Sequence, residues 1–475
     1  MRPRYVRRVI RYEPLPTASA PPDSADVVVC GAGIVGVSTA HRLAERLGVK
    51  RVVLVDSREP LTLTSDKGTQ AYRNWFDGPD DAMVRLVNRS LDLIEEVSDE
   101  TGDAIGLTRY GYLFATADAA RAREMVEQAG RLERLGAGAR RVHENGDGGY
   151  SPTAHAGWRG VPDGADVLLD RETMRRHFPF VRDDVAAMLH VRRAGWLDAL
   201  ALGRWLLARA VGAGATLVND RVAGVRVENG HVRGVRLASG VEIATERVVF
   251  AAGPELPRAL EMLGVDLPLL HELHGKMAFS DPLGVIPRDA PMTIWTDPVR
   301  LEWSDEERAR LATEPGGERL LGDLPGGVHM RPKDDEHGDT VLAIWTYDDD
   351  PCPYVWPPSF PPSYGEALMR GLACAIPGLA AYERRVPPGY VDGGYYCKTP
   401  ENRPLLGPAG PEGVVLAGAV SGYGVMSSQG AAELAALHAT GGTLPQHARS
   451  FLPSRYEDAE YRARALGADG RVGQL

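Results

Sequence analysis

The apolar and polar positions fall into short β-like runs and a few helical stretches. Asp26-Val-Val-Val-Cys30 is an apolar, β-branched run of the kind that fills a buried parallel strand. From Val37 to Leu47 the apolar positions recur at helical spacing, and Gly48 marks a stop. Arg51-Val-Val-Leu-Val-Asp56 predicts a second buried strand. Gly214–Asn219, Arg221–Glu228 and His231–Leu237 predict successive strands, the last two joined by an Asn229-Gly230 hairpin turn, and Val241–Ile243 adds another. Arg247–Gly253 and Gly413–Gly418 each read as a buried strand closing on glycine, and a long helix is expected from Ser427 to Thr440. Three stretches carry no such pattern: Glu144–Gly164, Asp297–Gly327 (with a charged helix near Asp305–Ala312) and the proline-rich Asp348–Tyr364. Loops this long are either surface decoration or lids over a site.

Between the first two strands lies Gly31-Ala-Gly33-Ile34-Val35-Gly36. Gly31 permits a tight turn, Gly33 lets backbone N–H groups approach a pyrophosphate, and Gly36 lets helix and strand pack closely. The helix N-terminus carries about half a positive charge and faces the diphosphate. Asp56, at the end of the second strand, stands where a carboxylate accepts hydrogen bonds from a ribose and repels a 2′-phosphate. The whole strand–turn–helix–strand–acid unit predicts dinucleotide binding and disfavours NADP. It does not separate FAD from NAD.

Composition narrows the field. The 475 residues suffice for two or three domains. The net charge of −10 (54 Lys+Arg against 64 Asp+Glu) argues against a nucleic-acid partner. No apolar run reaches the length of a membrane span. Cys30, Cys352, Cys374 and Cys397 are scattered, giving neither a disulfide framework nor a metal motif, which fits a reducing, cytoplasmic setting; no metal site is expected. Residues 1–24 read as an arginine-rich extension ending in a proline linker. Lysines are only Lys50, Lys67, Lys276, Lys333 and Lys398, an arginine bias that points to a GC-rich bacterial genome and makes each lysine worth scrutiny.

Further segments give the chain a family likeness: Arg109-Tyr-Gly-Tyr-Leu-Phe114, Gly195-Trp-Leu-Asp198, Ala251-Ala-Gly253, Tyr396-Cys-Lys-Thr-Pro-Glu401 with Pro404-Leu-Leu-Gly407, and Ser421-Gly-Tyr-Gly424. In this order, behind the glycine-rich unit, they resemble the FAD-dependent amine and amino-acid oxidoreductases of the D-amino-acid oxidase, sarcosine oxidase, glycine oxidase and dimethylglycine dehydrogenase type, over about Asp26 to Tyr461. The resemblance implies an α/β plus α+β fold: a discontinuous Rossmann-like FAD-binding domain (25–107, 166–266 and 396–475) and a mixed, largely antiparallel substrate-domain sheet (108–165 and 267–395) covering the flavin. It implies oxidation of a C–N bond in an amino acid or secondary amine by hydride transfer to flavin, then hydrolysis of the imine. Oxygen or another acceptor takes the electrons, and the protein is a monomer or homo-oligomer. The alternatives are an FAD-dependent 2-hydroxy acid dehydrogenase and a non-catalytic flavoprotein subunit.

The resemblance also assigns residues. Cofactor contacts fall on Gly31, Gly33, Ile34, Val35, Gly36, Asp56, Ser57, Ser65, Lys67, Gly68, Thr69, Val222, Ala252, Gly253, Arg403, Gly422, Tyr423, Gly424, Val425 and Met426. Backbone N–H groups from Gly422 to Met426 would stabilise the anionic reduced flavin. Arg73 is a candidate for a substrate acid group. Lys276 and His274 would lie in the first strand of the substrate sheet, with Lys276 as a base or oxygen-handling group. Strand alternation puts Tyr396 and Lys398 on one face and Tyr395 and Cys397 on the other, and one pair faces the pocket. Gly394 stands where sarcosine oxidases attach flavin through cysteine, and Leu61–Trp75 lacks the histidine that attaches it in dimethylglycine-type enzymes, so FAD is expected to be non-covalent. The lysine that follows Ser-Gly-x-Gly in sarcosine oxidases is Met426 here.

Overall fold

The computed structural model describes residues 20–146, 148–153, 157–333, 338–383, 387 and 389–468. The arginine-rich start, most of the expected 1–24 extension and the acidic run 334–336 lie outside the described residues.

Two large sheets organise the chain. The first has six strands in the order Leu405–Pro408, Val414–Gly418, Val248–Phe250, Val27–Cys30, Val52–Asp56, Thr216–Asn219. All neighbours are parallel except the first pair. Both faces are covered, and this is why its strands are continuously apolar. Val27, Val29 and Leu54 enter one cluster of buried side chains, and Val28, Val53 and Val55 enter another. On the second face lies the antiparallel hairpin Val222–Glu228/His231–Leu237, with Glu242–Ala244 beside it. Asn229 and Gly230 turn it with φ of 51° and 82°, left-handed values that explain the Asn-Gly pair.

The second sheet has nine strands, in the order Gly389–Lys398, Leu270–Ser280, Thr340–Ile344, Val328–Pro332, Met292–Trp295, Tyr112–Thr116, Ala187–Val191, Ala165–Leu168, Arg140–His143. It is mixed and largely antiparallel, with two parallel pairs. Its membership corrects two expectations. Residues 165–191, placed with the nucleotide-binding half from 166 onward, supply two of its strands. The strand holding His274 is not the first of this sheet, because four strands precede it in the chain. An apolar run reports that a strand is buried, not which sheet it joins.

The first helix is α-helical over Ile34–His41 and continues as a wider π turn over Arg42–Arg46. The long C-terminal helix begins at Gly424, earlier than the expected Ser427. Glycines before and within it sit where the chain crosses close to other groups. A Cβ on Gly422 would lie 2.6 Å from the Tyr396 ring, and one on Gly430 2.7 Å from the Leu86 carbonyl oxygen. Gln429 Nε2 donates to Ser38 Oγ (2.7 Å), tying this helix to the first. The expected loop 297–327 folds around a helix, Asp305–Leu311, with a Ser304/Glu307 capping box. Among the described residues no helix is long and apolar enough to cross a membrane.

Candidate active site

The turn after the first strand is built by contact. Gly31 has φ +102°, and its N–H donates to the Val55 carbonyl (2.9 Å). Gly33 precedes the first helix, which has no side-chain cap of its own. Instead Ser65, from the following loop, places its Oγ 2.9 Å from the Ile34 N–H. Asp56 accepts from Ala32 N–H (2.7 Å) and Arg58 N–H (2.9 Å), so the acid at the strand end is locked onto the glycine turn. Arg58 in turn pairs with Glu255 (2.6 Å). Ser57 points to solvent. Val222 is buried at the start of the hairpin, and Ala252–Gly253 closes the Val248–Phe250 strand, Gly253 with φ +53°.

One cavity joins three distant stretches of the chain. Its walls include Gly33, Ile34 and Val35; Ser65, Gly68, Thr69 and Arg73; and Ser421 through Met426. The nine-stranded sheet closes it with Tyr112, His274, His329 and Tyr396, and the loop after Thr340–Ile344 adds Thr346 and Asp349. The first helix and the Gly424–Thr440 helix both begin on this cavity, neither with a side-chain cap from its own N-cap residue, the first taking only the Ser65 hydroxyl at Ile34. Each therefore turns backbone N–H groups and the positive end of its dipole toward it. Gln70, Ala419 and Ser421 line it with φ of 57°, 52° and 49°, and such strain in non-glycine residues clusters at functional sites.

The Arg73 side chain is buried among aromatic rings, its guanidinium 5.0 Å from the centroid of Phe76, 5.7 Å from Tyr112 and 5.8 Å from Tyr423. This places a permanent cation in an apolar wall. His329 is buried too, with Nδ1 2.7 Å from the Gly327 carbonyl oxygen, and burial pulls it down to about 4. Tyr396 is pushed up to about 12 by burial.

Strand register settles which face of Gly389–Lys398 joins His274. Glu272 pairs with Tyr396 and His274 with Gly394. The His274 ring stacks on Tyr396 at 3.8 Å and 22°. His274 Nε2 lies 3.2 Å from Glu272 Oε2, and Nδ1 lies 2.7 Å from Thr346 Oγ1. Lys398 Nζ, fully enclosed, reaches Glu272 Oε1 at 2.6 Å. Burial lowers His274 against the opposing pull of Glu272. Burial opposes ionisation of Glu272, but its bonds to His274 and Lys398 together hold the carboxyl below its ordinary range. Tyr395, on the other face, packs against His271 and Tyr354, yet it and Cys397 line the cavity along with Tyr396 whereas Lys398 does not, so the expected division into one pocket-facing pair does not hold.

Three candidate cations are engaged elsewhere. Lys67 lies outside the cavity wall and pairs with Asp392 (2.9 Å) and Asp66 (3.3 Å). Arg403 makes a two-pronged pair with Asp80 (3.0 and 2.9 Å). Lys276, lowered mainly by burial, donates to the Asp66 carbonyl (3.0 Å) rather than lining the cavity. Sequence reasoning overlooked Glu272, Thr346, His329 and Asp349. Glu272 had a signal: strand alternation puts the polar groups of Glu272, His274 and Lys276 on one face. Among the described residues no cluster of three or more His, Cys, Asp or Glu could hold a metal ion.

Known proteins share this fold. Over 261 residues the chain is 30% identical to mitochondrial sarcosine dehydrogenase of Mus musculus, a match covering 53% of this chain and 25% of that protein. The chain thus spans about a quarter of the length of that curated relative. In fold it resembles the L-proline dehydrogenase of P. horikoshii (TM-score 0.70, 23% identity, 92% of this chain and 99% of that one). It likewise resembles the glycine oxidase of Geobacillus kaustophilus (TM-score 0.69, 16% identity, 91% and 99%). The sequence model of the FAD dependent oxidoreductase family, DAO, matches residues 26–437, and this chain belongs to that family of FAD-dependent oxidoreductases.

Proposed function

We propose that this protein oxidises the C–N bond of an amino acid or a secondary amine, the resulting imine then hydrolysing. The observation that carries this reading is the cavity onto which two helix N-termini and the buried guanidinium of Arg73 converge. The sarcosine dehydrogenase likeness supports an N-substituted amino acid as substrate.

The residues fit FAD. Gly33, Ile34, Val35 and Ser65 would hold the diphosphate at the first helix, where Gly33 leaves room that a Cβ would fill 3.4 Å from Ser65 Oγ. Asp56 would take the ribose, and Val222 would bound the adenine side. Gly68, Thr69, Gly253 and Gly422 to Met426 would flank the isoalloxazine. Lys67, Arg403 and Ser57 are not assigned to it. When bound, FAD supplies the two-electron sink for the hydride on the carbon beside nitrogen. Attachment is non-covalent. Gly394 offers no nucleophile, and a Cβ there would already meet Lys67 Cβ at 3.0 Å.

Arg73 orients a substrate carboxylate. Its planar fork suits two parallel hydrogen bonds, strengthened where water is excluded. Tyr112, Tyr396 and Tyr423 wall off that water. The substrate nitrogen must be neutral before it can release hydride readily, and an apolar enclosure favours the neutral form. The four cysteines are free, compatible with the reducing cytoplasm.

Anaerobic titration tests the reading. Bleaching of protein-bound flavin by sarcosine, L-proline or glycine is the expected result. Bleaching by 2-hydroxy acids alone would make it a hydroxy acid dehydrogenase. No bleaching by either, with a stable complex to another chain, would make it a non-catalytic subunit.

A further inference from the structure

A continuous line of hydrogen bonds runs from the cavity into the sheet. Thr346 Oγ1 is 2.7 Å from His274 Nδ1, His274 Nε2 is 3.2 Å from Glu272 Oε2, and Glu272 Oε1 is 2.6 Å from Lys398 Nζ. Only Thr346 and His274 line the cavity; Glu272 and Lys398 sit behind them. The hydroxyl, imidazole and carboxylate stand in the order that lets a hydroxyl shed a proton. Glu272 carries its charge, so it only accepts, and this assigns the His274 proton to Nε2. Nδ1 is then a lone pair accepting from the hydroxyl of Thr346, a residue of the cavity wall.

We propose that Thr346, His274 and Glu272 form a proton relay that removes the N–H proton of a bound ammonium substrate, with Lys398 fixing the far carboxylate. This rests on the amine-oxidation reading. In the step, one substrate N–H bond breaks and its proton bonds to Thr346 Oγ1 as the original hydroxyl proton passes to His274 Nδ1. The nitrogen keeps the electron pair. Neither oxidation nor reduction occurs in this step, and the total charge of the site is unchanged: ammonium and neutral imidazole become neutral amine and imidazolium. The imidazolium lies between the Thr346 oxygen and the Glu272 carboxylate, and returns its proton to water through Thr346 once product has left. Thr346 is the catalytic residue, since it touches the substrate. His274, Glu272 and Lys398 act through it.

Other charged or titratable groups face His274. Tyr396 stacks on it from the strand on one side. Asp349, after the strand on the other side, favours its protonation, and His329 and Lys398 oppose it. Burial keeps the resting imidazole neutral, as an acceptor must be.

The test follows flavin bleaching in anaerobic holoenzyme with sarcosine and with L-proline, from about pH 6 to about pH 10, where a free alkylamine approaches its own pKa. Thr346→Val is expected to bleach about a hundredfold more slowly at neutral pH and to approach the wild-type rate at the alkaline end. Thr346→Ser, which keeps the hydroxyl, should stay within about threefold of wild type. Loss by the same factor at every pH would mark a structural role and overturn the relay. Nitrogen-15 spectra of the histidine rings in substrate-free holoenzyme, with His274 assigned through His274→Gln, are expected to show a neutral ring protonated on Nε2. A ring protonated on Nδ1, or on both nitrogens at neutral pH, also overturns it. If no amine bleaches the wild type, the amine-oxidation reading falls and takes the relay with it. Bleaching in wild type with a pH-independent loss in Thr346→Val removes the relay alone.

Discussion

The Cβ that Gly36 lacks would lie 1.8 Å from the carbonyl oxygen of Gly31. Both partners are backbone, on a helix and the turn that feeds it, so neither can swing aside. Gly36→Ala must push the first helix away from the strand end, and with it the N–H groups at the cavity. The variant is expected to purify without flavin or to fail to fold. Gly102→Ala is the control: φ is +61° but nothing lies within 4 Å of the added methyl, so only the left-handed backbone cost of about 1–2 kcal/mol applies. Flavin absorbance per chain and thermal unfolding of the two variants separate contact from conformation.

His329 ties stability of the FAD-free protein to pH. Burial holds it down to about 4, whereas the unfolded chain titrates near the ordinary value of roughly 6.5. Between these values the unfolded state binds more protons, so stability falls as pH falls, by up to about 1.4 kcal/mol per unit for this one group. His41 and His190, also lowered by burial, push the same way. The unfolding midpoint is expected to drop steadily below about pH 6.5. His329→Gln should flatten part of that drop, and an unchanged slope would remove His329 from the account.

The glycine turn and the six-stranded sheet were legible because their demands are local. A turn that needs no Cβ and strands buried on both faces leave their mark on adjacent residues. The active-site polar groups were legible only in part. His274 and Tyr396 could be singled out, but the carboxylate joining His274 to Lys398 comes into register with Tyr396 only when strands 270–280 and 389–398 pair. The partners of Lys67 and Arg403 were hidden for the same reason. Loop position suggests a cofactor contact, while the carboxylates they pair with, Asp392 and Asp80, are distant in sequence.

Lys398 and Glu272 are both buried, so removing one charge strands the other. Lys398→Met should destabilise the protein by about 3–5 kcal/mol. The double variant Lys398→Met/Glu272→Gln should recover most of that, because the uncompensated carboxylate is gone. Glu272 also sets a pH signature. Its folded pKa lies below the ordinary value, so its stabilising share is present above roughly pH 4.3 and lost as pH falls through the folded value. Chemical denaturation across this range, wild type against the double variant, reads the difference; equal acid slopes would count against the pair.

Arg73→Lys keeps the charge and loses the planar fork set among Phe76, Tyr112 and Tyr423. For an amine bearing a carboxylate, half-saturation of flavin reduction is expected to rise about 10- to 100-fold, the worth of a charged hydrogen bond. The limiting rate should change less, and an amine without a carboxylate should be unaffected. Equal losses for both amines would take Arg73 out of substrate recognition.

Lys276 divides two readings. Sequence resemblance makes it a base or a handler of oxygen beside the flavin. In the fold its Nζ holds the carbonyl of Asp66, the neighbour of Ser65, whose hydroxyl accepts from the first helix. Lys276 therefore braces the loop that meets the helix N-terminus, and its loss acts on cofactor retention. Lys276→Met is expected to release FAD more readily on dialysis, with reoxidation of the remaining reduced flavin within about twofold of wild type, since a brace supplies no general acid or base to the reaction. Normal FAD content with slow reoxidation would restore the oxygen-handling role. Flavin content and stopped-flow reoxidation, measured on one preparation, decide between them, because a brace and an oxygen-activating cation move different observables.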